Sequence, residues 1–486
     1  MKKIKDLFGS IDYKLVNLKP DTGVKGISAD SRTIKRGEVF VAIDGPEHNG
    51  YDYIEDALKK GAVALCLDKP QAVDKSIGII LVKDTARAFP ILASRIYNNP
   101  SRSVRVIGVT GTNGKTTITY LMHEILKTAK KKPSLLGTVI YKINDKTVKS
   151  SNTTPGPLLL HSLLAKMRDA GSDYAVMEVS SHALKQARVF GVDFKVAILT
   201  NITGDHLDYH KTMDDYAKSK RILFESLGTG SIAVLNKDDS FYDYFRKATK
   251  AKVLDYGIEN YADFTAKDIK SDINGSSFLM EAPGGSTRIK TPLIGRHNIY
   301  NILAAACASF AEGVSLDTIS KALGESILVP GRLEAVSVGQ PFRIFVDYAH
   351  TYDALEKILS ELRPLCKGKL VAVFGCGGDR DKTKRPKMGR IANEIADEII
   401  LTTDNPRTEN PEIILNEIEG GIKKGFKRYK RIPDRFEAIK ESLKGRSKDD
   451  VVVIAGKGHE DYQIIGKEIF PFSDREVVEK ILKQGR

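Results

Sequence analysis

The sequence predicts an α/β protein of three domains, and three features lead to this prediction. The chain has 486 residues, too many for one compact core, because domains usually hold roughly 100 to 200 residues. Short β-branched runs alternate with segments of helical periodicity, a pattern typical of mostly parallel sheets covered by helices. The stretch "TGTNGKTT" at 110–117 lies between one such run and one such segment, as in nucleotide-binding βα units. We expect domains at 1–97, 98–330 and 331–486.

Strand-like and helix-like segments support each domain in turn. The N-terminal domain is expected to be a small α/β unit, since the runs "EVFVAI" and "AVALCL" flank the helix-like "YIEDALKKG". In the central domain, "SVRVIGVTG" leads into the helix-like "KTTITYLMHEILKTAKKK", and further strands follow at "YAVMEV", "FKVAILTNI" and "SIAVLN". This order predicts a mostly parallel sheet of the P-loop ATPase type.

The last domain repeats the alternation after a linker. The Pro-Gly pair in "ESILVPGRLE" ends a helical pattern and marks that linker. Strand-like "FRIFVDYA", "KLVAVFG", "EIILTTD" and "VVVIAGKG" then alternate with helix-like segments. A Rossmann-like, doubly wound sheet is expected, with its ligands at the carboxyl ends of the strands.

Composition restricts the class of protein. Hydrophobic residues make up 41% and charged residues 28%, as in ordinary globular proteins. The N-terminus lacks an apolar signal region, no apolar run reaches about 18 residues, and the four cysteines have no metal-ligand spacing. We therefore expect a soluble cytoplasmic protein. The net charge of +14 favours anionic ligands, although the lysine runs "KTAKKK" and "KKGFKRYKR" are better explained as solvated surfaces than as binding patches.

The glycine-rich stretch carries the clearest chemistry. Gly111 and Gly114 let the backbone approach phosphate oxygens, Lys115 supplies a charge for the outer phosphates, and Thr116 supplies a hydroxyl for Mg²⁺. Val109 stands where the general P-loop pattern has its first glycine, so the loop reads G-x-x-G-K-T. The expected ATP-binding residues of this loop are Gly111, Thr112, Asn113, Gly114, Lys115, Thr116 and Thr117.

This variant loop resembles that of the Mur ligase family, ATP-dependent amide-forming enzymes of peptidoglycan precursor synthesis. Other segments resemble motifs of the same family and occur in the same order. They include "NTTPG", "MEVSSHAL", "TNITGDHLDYH", "YAKSKRILF", "LIGRHNIYN", "VPGRLE", "DYAHTYDALE", "FGCGGDRDK", "DNPRTENP" and "AGKGHEDYQ". The resemblance spans about Asp30 to Arg475. It implies that ATP phosphorylates a substrate carboxylate and that an amine then displaces phosphate from the acyl phosphate, with Mg²⁺ offsetting the repulsion of the anions.

The resemblance also implies roles for catalytic and metal-binding residues. Lys115, Glu178, His206 and Lys220 are the expected catalytic residues, and Thr116, Glu178 and His206 are the expected Mg²⁺ ligands. Lys220 matches a lysine that the family carries as a carbamate, N6-carboxylysine. From the residues alone, a surface position for Lys220 and a structural role for His206 stay open. Lys218, two positions earlier, is an alternative alignment for Lys220.

Further substrate contacts follow from matched motifs. For ATP they are His297, Asn298, Asn301, Arg332 and Asp347, although Asn and His at a helix start are also good caps. For the UDP-sugar peptide they are Ser31, Asn152, Thr153, Thr154, Ser181 and Arg188. For the incoming amino acid they are Arg380, Asp404, Asn405, Arg407, Gly456 and Glu460.

The motif "DNPR" predicts which amino acid is added. Enzymes of this family that use meso-diaminopimelate have an arginine at the position of Arg407, and those that use L-lysine usually lack it. Diaminopimelate carries a distal carboxylate, which a guanidinium binds through two charge-assisted hydrogen bonds. Lysine would leave that arginine unpaired, at a cost of roughly 1 to 3 kcal/mol or more. We expect transfer of meso-diaminopimelate to UDP-N-acetylmuramoyl-L-alanyl-D-glutamate.

Three alternatives remain on the sequence alone. The first is the same reaction with L-lysine, and the second is folylpolyglutamate synthesis, which would give the first domain and the "DNPR" loop no obvious purpose. The third is a basic P-loop protein that binds nucleic acid, which would need aromatic residues among its lysine runs, where only Phe426 and Tyr429 occur. We expect small-molecule partners only, neither nucleic acid nor membrane, and a monomer.

Overall fold

The computed structural model of the chain describes residues 1–45, 48–325 and 328–484, with the backbone alone at 207–208. It divides into two compact units. The first holds Met1–Thr265, Glu281–Gly285 and Tyr300–Ala322, and the second holds Ala266–Met280, Ser286–Ile299 and the chain from Leu323 onward. The predicted boundary at residue 97 lies inside the first unit, and part of the predicted linker "ESILVPGRLE" lies outside the described residues. The two predicted domain boundaries therefore stay a prediction.

The N-terminal part of the first unit contains a five-stranded sheet with helices on both faces. Its order is β2-β7-β6-β5-β4, with only β2 antiparallel to its neighbour. Val39 packs with Leu92 of one helix, and Phe40, on the opposite face, packs with Ile54 of another. The elements are β1 Lys2–Lys3, α1 Ile4–Phe8, β2 Tyr13–Val16, β3 Gly23–Val24, β4 Gly26–Ser28, β5 Glu38–Val41, α2 Ile54–Lys59, β6 Ala64–Leu67, β7 Gly78–Val82 and α3 Thr85–Ile96.

A large sheet follows, in the order β11-β10-β9-β12-β8-β13-β14-β15-β16-β17-β18. Its strands are β8 Arg105–Thr110, β9 Pro133–Leu136, β10 Ile140–Ile143, β11 Lys146–Lys149, β12 Tyr174–Glu178, β13 Phe194–Leu199, β14 Ile232–Asn236, β15 Lys252–Gly257, β16 Phe264–Asp272, β17 Gly275–Ala282 and β18 Gly285–Thr291. Its helices are α4 Lys115–Thr128, α5 Pro157–Asp169, α6 Ser181–Lys185, α7 Leu207–His210, α8 Met213–Glu225, α9 Tyr242–Arg246, α10 Arg296–Ala311 and α11 Leu316–Gly324.

The parallel centre of this sheet positions the glycine-rich loop. From β9 to β16 neighbouring strands run parallel, whereas β9, β10 and β11 pair antiparallel. Glu178 at the end of β12 pairs with Val109 of β8, and Leu199 at the end of β13 pairs with Thr110. The carboxyl ends of three adjacent strands therefore meet where the loop begins.

The second unit contains a doubly wound sheet, as the sequence predicted. Its order is β19-β20-β24-β21-β22-β23, and all strands except β19 run parallel. Phe345 packs with Leu359 on one face, whereas Val346 packs with Ile439 on the other. The elements are β19 Glu334–Ala335, β20 Arg343–Asp347, α12 Tyr352–Leu362, β21 Leu370–Phe374, α13 Lys384–Ile395, β22 Glu398–Leu401, α14 Pro411–Glu419, β23 Tyr429–Arg431, α15 Arg435–Ser442, β24 Val451–Ala455, β25 Tyr462–Ile465, β26 Glu468–Pro471 and α16 Asp474–Gln484.

The predicted α/β fold class is confirmed. The central sheet is mostly parallel, and its antiparallel end is a hairpin whose two-residue turn, at Asn144, has a positive φ of 50°. Over the residues that the structure describes, no helix is both long and apolar enough to cross a bilayer.

Candidate active site

The glycine-rich loop between β8 and α4 has the backbone form that phosphate binding requires. Gly111 and Gly114 have φ values of 142° and 88°, a region that disfavours side chains. A Cβ on Gly111 would lie 1.9 Å from Thr200 Oγ1, and one on Gly114 would lie 2.3 Å from Asn301 Oδ1. Both glycines are therefore required by space as well as by conformation.

Asn201, which the sequence reading did not single out, holds this loop. Its carbonyl accepts from the Thr112 N–H at 2.7 Å, and its side-chain oxygen accepts from the Asn113 N–H at 3.1 Å. Lys115 opens α4, and its ammonium donates to the carbonyls of Gly111 and Thr112 at 2.9 and 2.7 Å. Thr116 and Thr117 are buried in the same first turn. The loop thus presents backbone amides and one ammonium at a helix N-terminus, a ready anion site.

Lys220 lies beneath the loop. The residue is 1% exposed, its Nζ donates to the Gly111 carbonyl at 2.8 Å, and it lies 4.4 Å from the centre of the Tyr216 ring. Burial lowers the pKa of its ammonium well below the usual value, and the nearby Lys115 charge lowers it further. Lys218 is exposed, so the alternative alignment would put the functional amine in solvent. The solvated reading of Lys220 is wrong because its helix turns this face inward.

Glu178 ends β12 with its carboxylate buried. Oε1 accepts from the Thr138 N–H at 2.8 Å and Oε2 from the Thr138 hydroxyl at 2.9 Å. A Cβ on Gly137 would lie 2.5 Å from Oε1, so this glycine makes room for the carboxylate. The Glu178 carboxylate and the Thr116 hydroxyl are hard oxygen donors of the kind that Mg²⁺ prefers, and in this respect the residues fit the ion.

His206 is less suited to bind Mg²⁺. Its side chain is half exposed, its ring lies 4.9 Å from that of His182, and a ring nitrogen lies 3.4 Å from Asp205 Oδ2. Imidazole nitrogen is also a poor ligand for Mg²⁺. Within the described part of the chain, no group of three or more His, Cys, Asp or Glu side chains forms a metal cluster.

Three of the six predicted muramoyl-peptide residues lie near the end of β12. The Thr154 hydroxyl donates to the Glu178 carbonyl at 2.9 Å, and the Thr153 hydroxyl lies 3.1 Å from that of Thr138. Arg188 donates to the Thr154 carbonyl at 3.3 Å and twice to the side-chain oxygen of Gln186, at 2.9 and 2.6 Å. Burial lowers the pKa of the Arg188 guanidinium. Gln186, absent from the sequence prediction, orients this arginine.

The remaining three members of that set occupy different surroundings. Asn152 is exposed, and the Tyr141 hydroxyl bonds its backbone. Ser181 is buried, and its hydroxyl lies 3.0 Å from Nε2 of the buried His210. Ser31 is buried in the turn after β4, between the paired side chains of Asp30 and Arg32. Ser181 therefore points into the protein rather than toward the loop surface.

The predicted amino-acid residues of the second unit lie on three loops that follow β21, β22 and β24. These strands are neighbours, so their carboxyl ends meet. Gly456 has a φ of 116°, and a Cβ there would lie 2.5 Å from Asp404 Oδ2. Asn405 Nδ2 donates to Glu460 Oε2 at 2.9 Å. Four of the six predicted residues, Asp404, Asn405, Gly456 and Glu460, are thus in direct contact.

Arg407 is fixed by its backbone. Its φ is 52°, its N–H donates to the Ile464 carbonyl at 3.1 Å, and its carbonyl accepts from Gly466 N at 2.7 Å. Its Nη1 donates to the Gly378 carbonyl at 2.8 Å and lies 3.5 Å from the Asn405 carbonyl, so Nε and Nη2 lie outside these contacts. The guanidinium edge that binds carboxylates side-on is not used by either contact.

A buried arginine, not predicted from sequence, ties together the loops after β21 and β22. Arg385 donates from Nη1 and Nη2 to the two carboxylate oxygens of Glu409, each at 3.0 Å, and from Nη2 to the Gly377 carbonyl at 3.3 Å. Asp379 N donates to Glu409 Oε1 at 2.6 Å. The exposed Arg380, next in sequence, donates to the Asp379 carbonyl.

The residues expected near ATP are divided between the units. Asn301 lies against Gly114 in the first unit. In the second unit, Nδ1 of His297 lies against the Glu361 carboxylate, and the Asn298 side chain donates to the Ile294 carbonyl at 2.8 Å, which is a local backbone contact. Asp347 and Arg332 also lie in the second unit.

Arg332 precedes β19 of the doubly wound sheet, and Asp347 is the last residue of β20. The buried Asp347 carboxylate accepts from Leu333 N at 2.7 Å and Ala349 N at 2.8 Å. Burial raises its pKa, and the nearby Arg332 charge opposes that rise. Arg332 itself lies over the Tyr348 ring at 5.1 Å.

Family models match three successive parts of the chain. They are described as "Mur ligase family, catalytic domain" at 23–100, "Mur ligase middle domain" at 109–309 and "Mur ligase, glutamate ligase domain" at 331–458. Among solved structures, that of a UDP-N-acetylmuramoyl-L-alanyl-D-glutamate–2,6-diaminopimelate ligase is 33% identical with a TM-score of 0.75, covering 100% of this chain and 99% of that one. The MurF ligase from Thermotoga maritima in complex with ADP is 22% identical with a TM-score of 0.62, covering 95% and 99%, and supports the fold alone.

Curated relatives extend the similarity over nearly the whole length. The UDP-N-acetylmuramoyl-L-alanyl-D-glutamate–2,6-diaminopimelate ligase from Bacillus velezensis is 47% identical over 464 residues, 94% of each chain. The enzyme of the same name from Clostridium tetani is 41% identical over 488 residues, 99% of each chain. Since domain matches and near-full-length relatives agree, this chain belongs to the Mur ligase family.

Proposed function

We propose that this protein joins meso-2,6-diaminopimelate to the D-glutamate γ-carboxylate of UDP-N-acetylmuramoyl-L-alanyl-D-glutamate, with ATP cleaved to ADP and phosphate. The reaction forms a peptide bond in peptidoglycan precursor synthesis. The observation that carries it is 47% identity, over 94% of the chain, to a ligase of that name. We further propose that the protein works in the cytoplasm as a monomer, on small molecules rather than on nucleic acid or membrane.

The chemistry requires ATP because an amine does not displace hydroxide from a carboxylate. The γ-carboxylate attacks the γ-phosphorus of ATP, ADP leaves, and an acyl phosphate forms. The neutral amine then attacks the carbonyl carbon, and phosphate leaves with the former carboxylate oxygen. A proton is lost from the nitrogen as the amide forms.

The first unit would hold the nucleotide. Backbone amides of the loop from Gly111 to Thr117 would cradle the phosphates, and the Lys115 ammonium would exchange its two carbonyl contacts for phosphate oxygens. Thr116 and Glu178 would hold Mg²⁺, with His206 at a second ion as the family resemblance implies. When bound, Mg²⁺ offsets the charge of the phosphates.

Lys220 is proposed to carry a carbamate. A neutral amine is the form that adds CO₂, and burial next to Lys115 favours the neutral form. Addition of CO₂ to the neutral amine, with loss of one proton, gives a carbamate anion beside the Lys115 ammonium. The modified side chain would then attract that ammonium, whereas a protonated Lys220 would repel it.

The matched motifs also assign contacts for ATP and for the UDP-sugar peptide. From the matched motifs, Asn301, His297, Arg332 and Asp347 are proposed to contact ATP. Asn298 remains on this list, although its side chain is used on the Ile294 carbonyl. The UDP-sugar peptide would be held by Ser31, Asn152, Thr153, Thr154, Ser181 and Arg188. Ser181 remains in this set as the family resemblance implies, although its hydroxyl contacts the buried His210.

The second unit would select the amino acid. Arg407 would bind the distal carboxylate of diaminopimelate through the edge that its Gly378 contact leaves unused, with the exposed Arg380 nearby. Asp404, Asn405 and Glu460, beside Gly456, would bind an ammonium group of diaminopimelate. L-lysine lacks the distal carboxylate and would leave Arg407 unpaired, which disfavours it.

The test compares the two amino acids on purified protein supplied with ATP, Mg²⁺ and the UDP-muramoyl dipeptide. Phosphate release and product mass should show faster turnover with meso-diaminopimelate. Faster turnover with L-lysine would replace the proposed substrate, and no extended product with either would reject the proposed reaction. Salt-sensitive binding to an oligonucleotide without binding of the UDP-sugar would support the nucleic-acid alternative.

A further inference from the structure

Lys457 lies in the loop after β24, and its side chain is fully buried. The residue is 0% exposed, and its Nζ donates to Asn405 Oδ1 at 2.9 Å and lies 3.4 Å from Glu460 Oε2. A lysine is rarely buried unless it is paired, because removing an ammonium from water is costly. The side chains of Asn405 and Glu460 supply the partners that its burial requires.

The contacts of Lys457 fix the orientation of the Asn405 amide. Asn405 Oδ1 accepts from Lys457 Nζ and from Ile464 N at 3.0 Å, so the oxygen must face these two donors. The amide nitrogen then faces Glu460 Oε2 and donates to it at 2.9 Å. Two donors thus hold one oxygen of Glu460, and Oε1 lies outside this network.

We propose that Lys457 is a positioning residue for the amino-acid substrate, one that pairs with Glu460 and holds it aligned to bind an ammonium group of the diamino acid. This inference rests on the proposed function, since it assigns Glu460 to the ammonium. In this role Lys457 does not touch the amino acid. It acts through Glu460 and Asn405.

The charges around Glu460 explain why a counter-ion is needed. Burial raises the pKa of its carboxyl, and the negative Asp404 raises it further. Lys457 is the largest influence that lowers this pKa. Two further groups face the Glu460 carboxylate: Arg435 on α15 and the Tyr348 phenol after β20. Of the two, Arg435 is the cation.

The sign of the expected pH dependence follows. Replacing Lys457 by methionine removes the main influence that lowers the Glu460 pKa, so that pKa rises. The carboxylate then becomes ionised only at higher pH, and substrate ammonium binds better as pH increases.

The experiment measures kcat and KM for diaminopimelate from about pH 6 to about pH 9 in the unchanged protein and in four variants. Lys457→Met should raise KM by about ten- to a hundred-fold near neutral pH, with the defect shrinking as pH rises. KM for ATP and for the UDP-muramoyl dipeptide should not change. Glu460→Gln should raise KM at every pH, and the double variant should be no worse than Glu460→Gln alone. Lys424→Met, at an exposed lysine, is the matched control.

A second readout does not depend on turnover. Carbon-13 NMR of glutamate-labelled protein, with the Glu460 signal assigned by its loss in Glu460→Gln, should show a higher titration midpoint in Lys457→Met. An unchanged midpoint overturns the proposal, as does a KM defect that is equal at all pH values and shared by ATP. If the unchanged protein turns over L-lysine instead, the KM series is repeated with L-lysine. Failure of the proposed function and failure of this inference are therefore separate results.

Discussion

Replacing Arg407 by asparagine should remove the discrimination in favour of diaminopimelate. The φ of 52° at this position makes asparagine a better choice than alanine, because asparagine tolerates the left-handed region and alanine would add backbone strain. The change removes the guanidinium while keeping the backbone bonds to Ile464 and Gly466.

The size of the effect follows from the unused edge of the guanidinium. Two charge-assisted hydrogen bonds from Nε and Nη2 to a carboxylate contribute about 1.5 kcal/mol or more each. Their loss of about 3 kcal/mol corresponds to a fall of about a hundred-fold in kcat/KM for diaminopimelate. L-lysine never makes these bonds, so its kcat/KM should change little or improve.

The assay is amino-acid-dependent phosphate release at varied concentrations of each amino acid, with product mass as a check. Lys424→Met again serves as the control, since it removes an exposed charge of the same unit. An equal loss with both amino acids would refute a contact between Arg407 and the distal carboxylate.

Other predictions concern Lys220, a buried ion pair and acid stability. Intact-protein mass under native, bicarbonate-containing conditions should show one added CO₂ that is absent from Lys220→Ala. If Lys220→Ala shows the same added mass, the CO₂ is bound at another residue. Arg435 and Asp474 are both fully buried and joined at 2.7 Å. Arg435→Met should therefore cost about 3 to 5 kcal/mol in unfolding free energy, and adding Asp474→Leu should restore most of it. Chemical denaturation measures the unfolding free energy of both variants. If the double variant is no more stable than Arg435→Met, an unpaired buried charge is not the cause of the loss. Arg385 holds the pKa of the Glu409 carboxyl at about 2. The resulting stability is present above the unfolded-state pKa of about 4.3 and is lost as pH falls toward 2. Melting temperatures of Arg385→Met and unchanged protein should therefore converge in acid, whereas a constant gap would contradict the prediction.

The parts of the site that depend on local sequence were predictable. The loop from Gly111 to Thr116 follows from the conformations that glycine permits and from its place between a strand and a helix. Lys220 carried a usable signal as well, because Tyr216 and Phe224 lie four positions to either side and share its helical face. That spacing predicts an inward lysine without any family resemblance.

Contacts between distant loops were not predictable in this way. Lys457 is 52 positions from Asn405, and Arg385 is 24 positions from Glu409. The order of strands in the sheet decides that these loops meet, and composition does not specify that order. The hairpin at Asn144 is different, since a two-residue Asn-Asp turn between alternating residues is a recognisable signal that the sequence reading passed over.

Product mass from a single incubation tests the central claim most directly. Purified protein would receive the UDP-muramoyl dipeptide, ATP, Mg²⁺ and equal amounts of meso-diaminopimelate and L-lysine. We predict a muramoyl tripeptide that carries diaminopimelate, with one ADP formed for each peptide bond. A tripeptide that carries mainly lysine, or ATP cleavage without any tripeptide, would contradict the account.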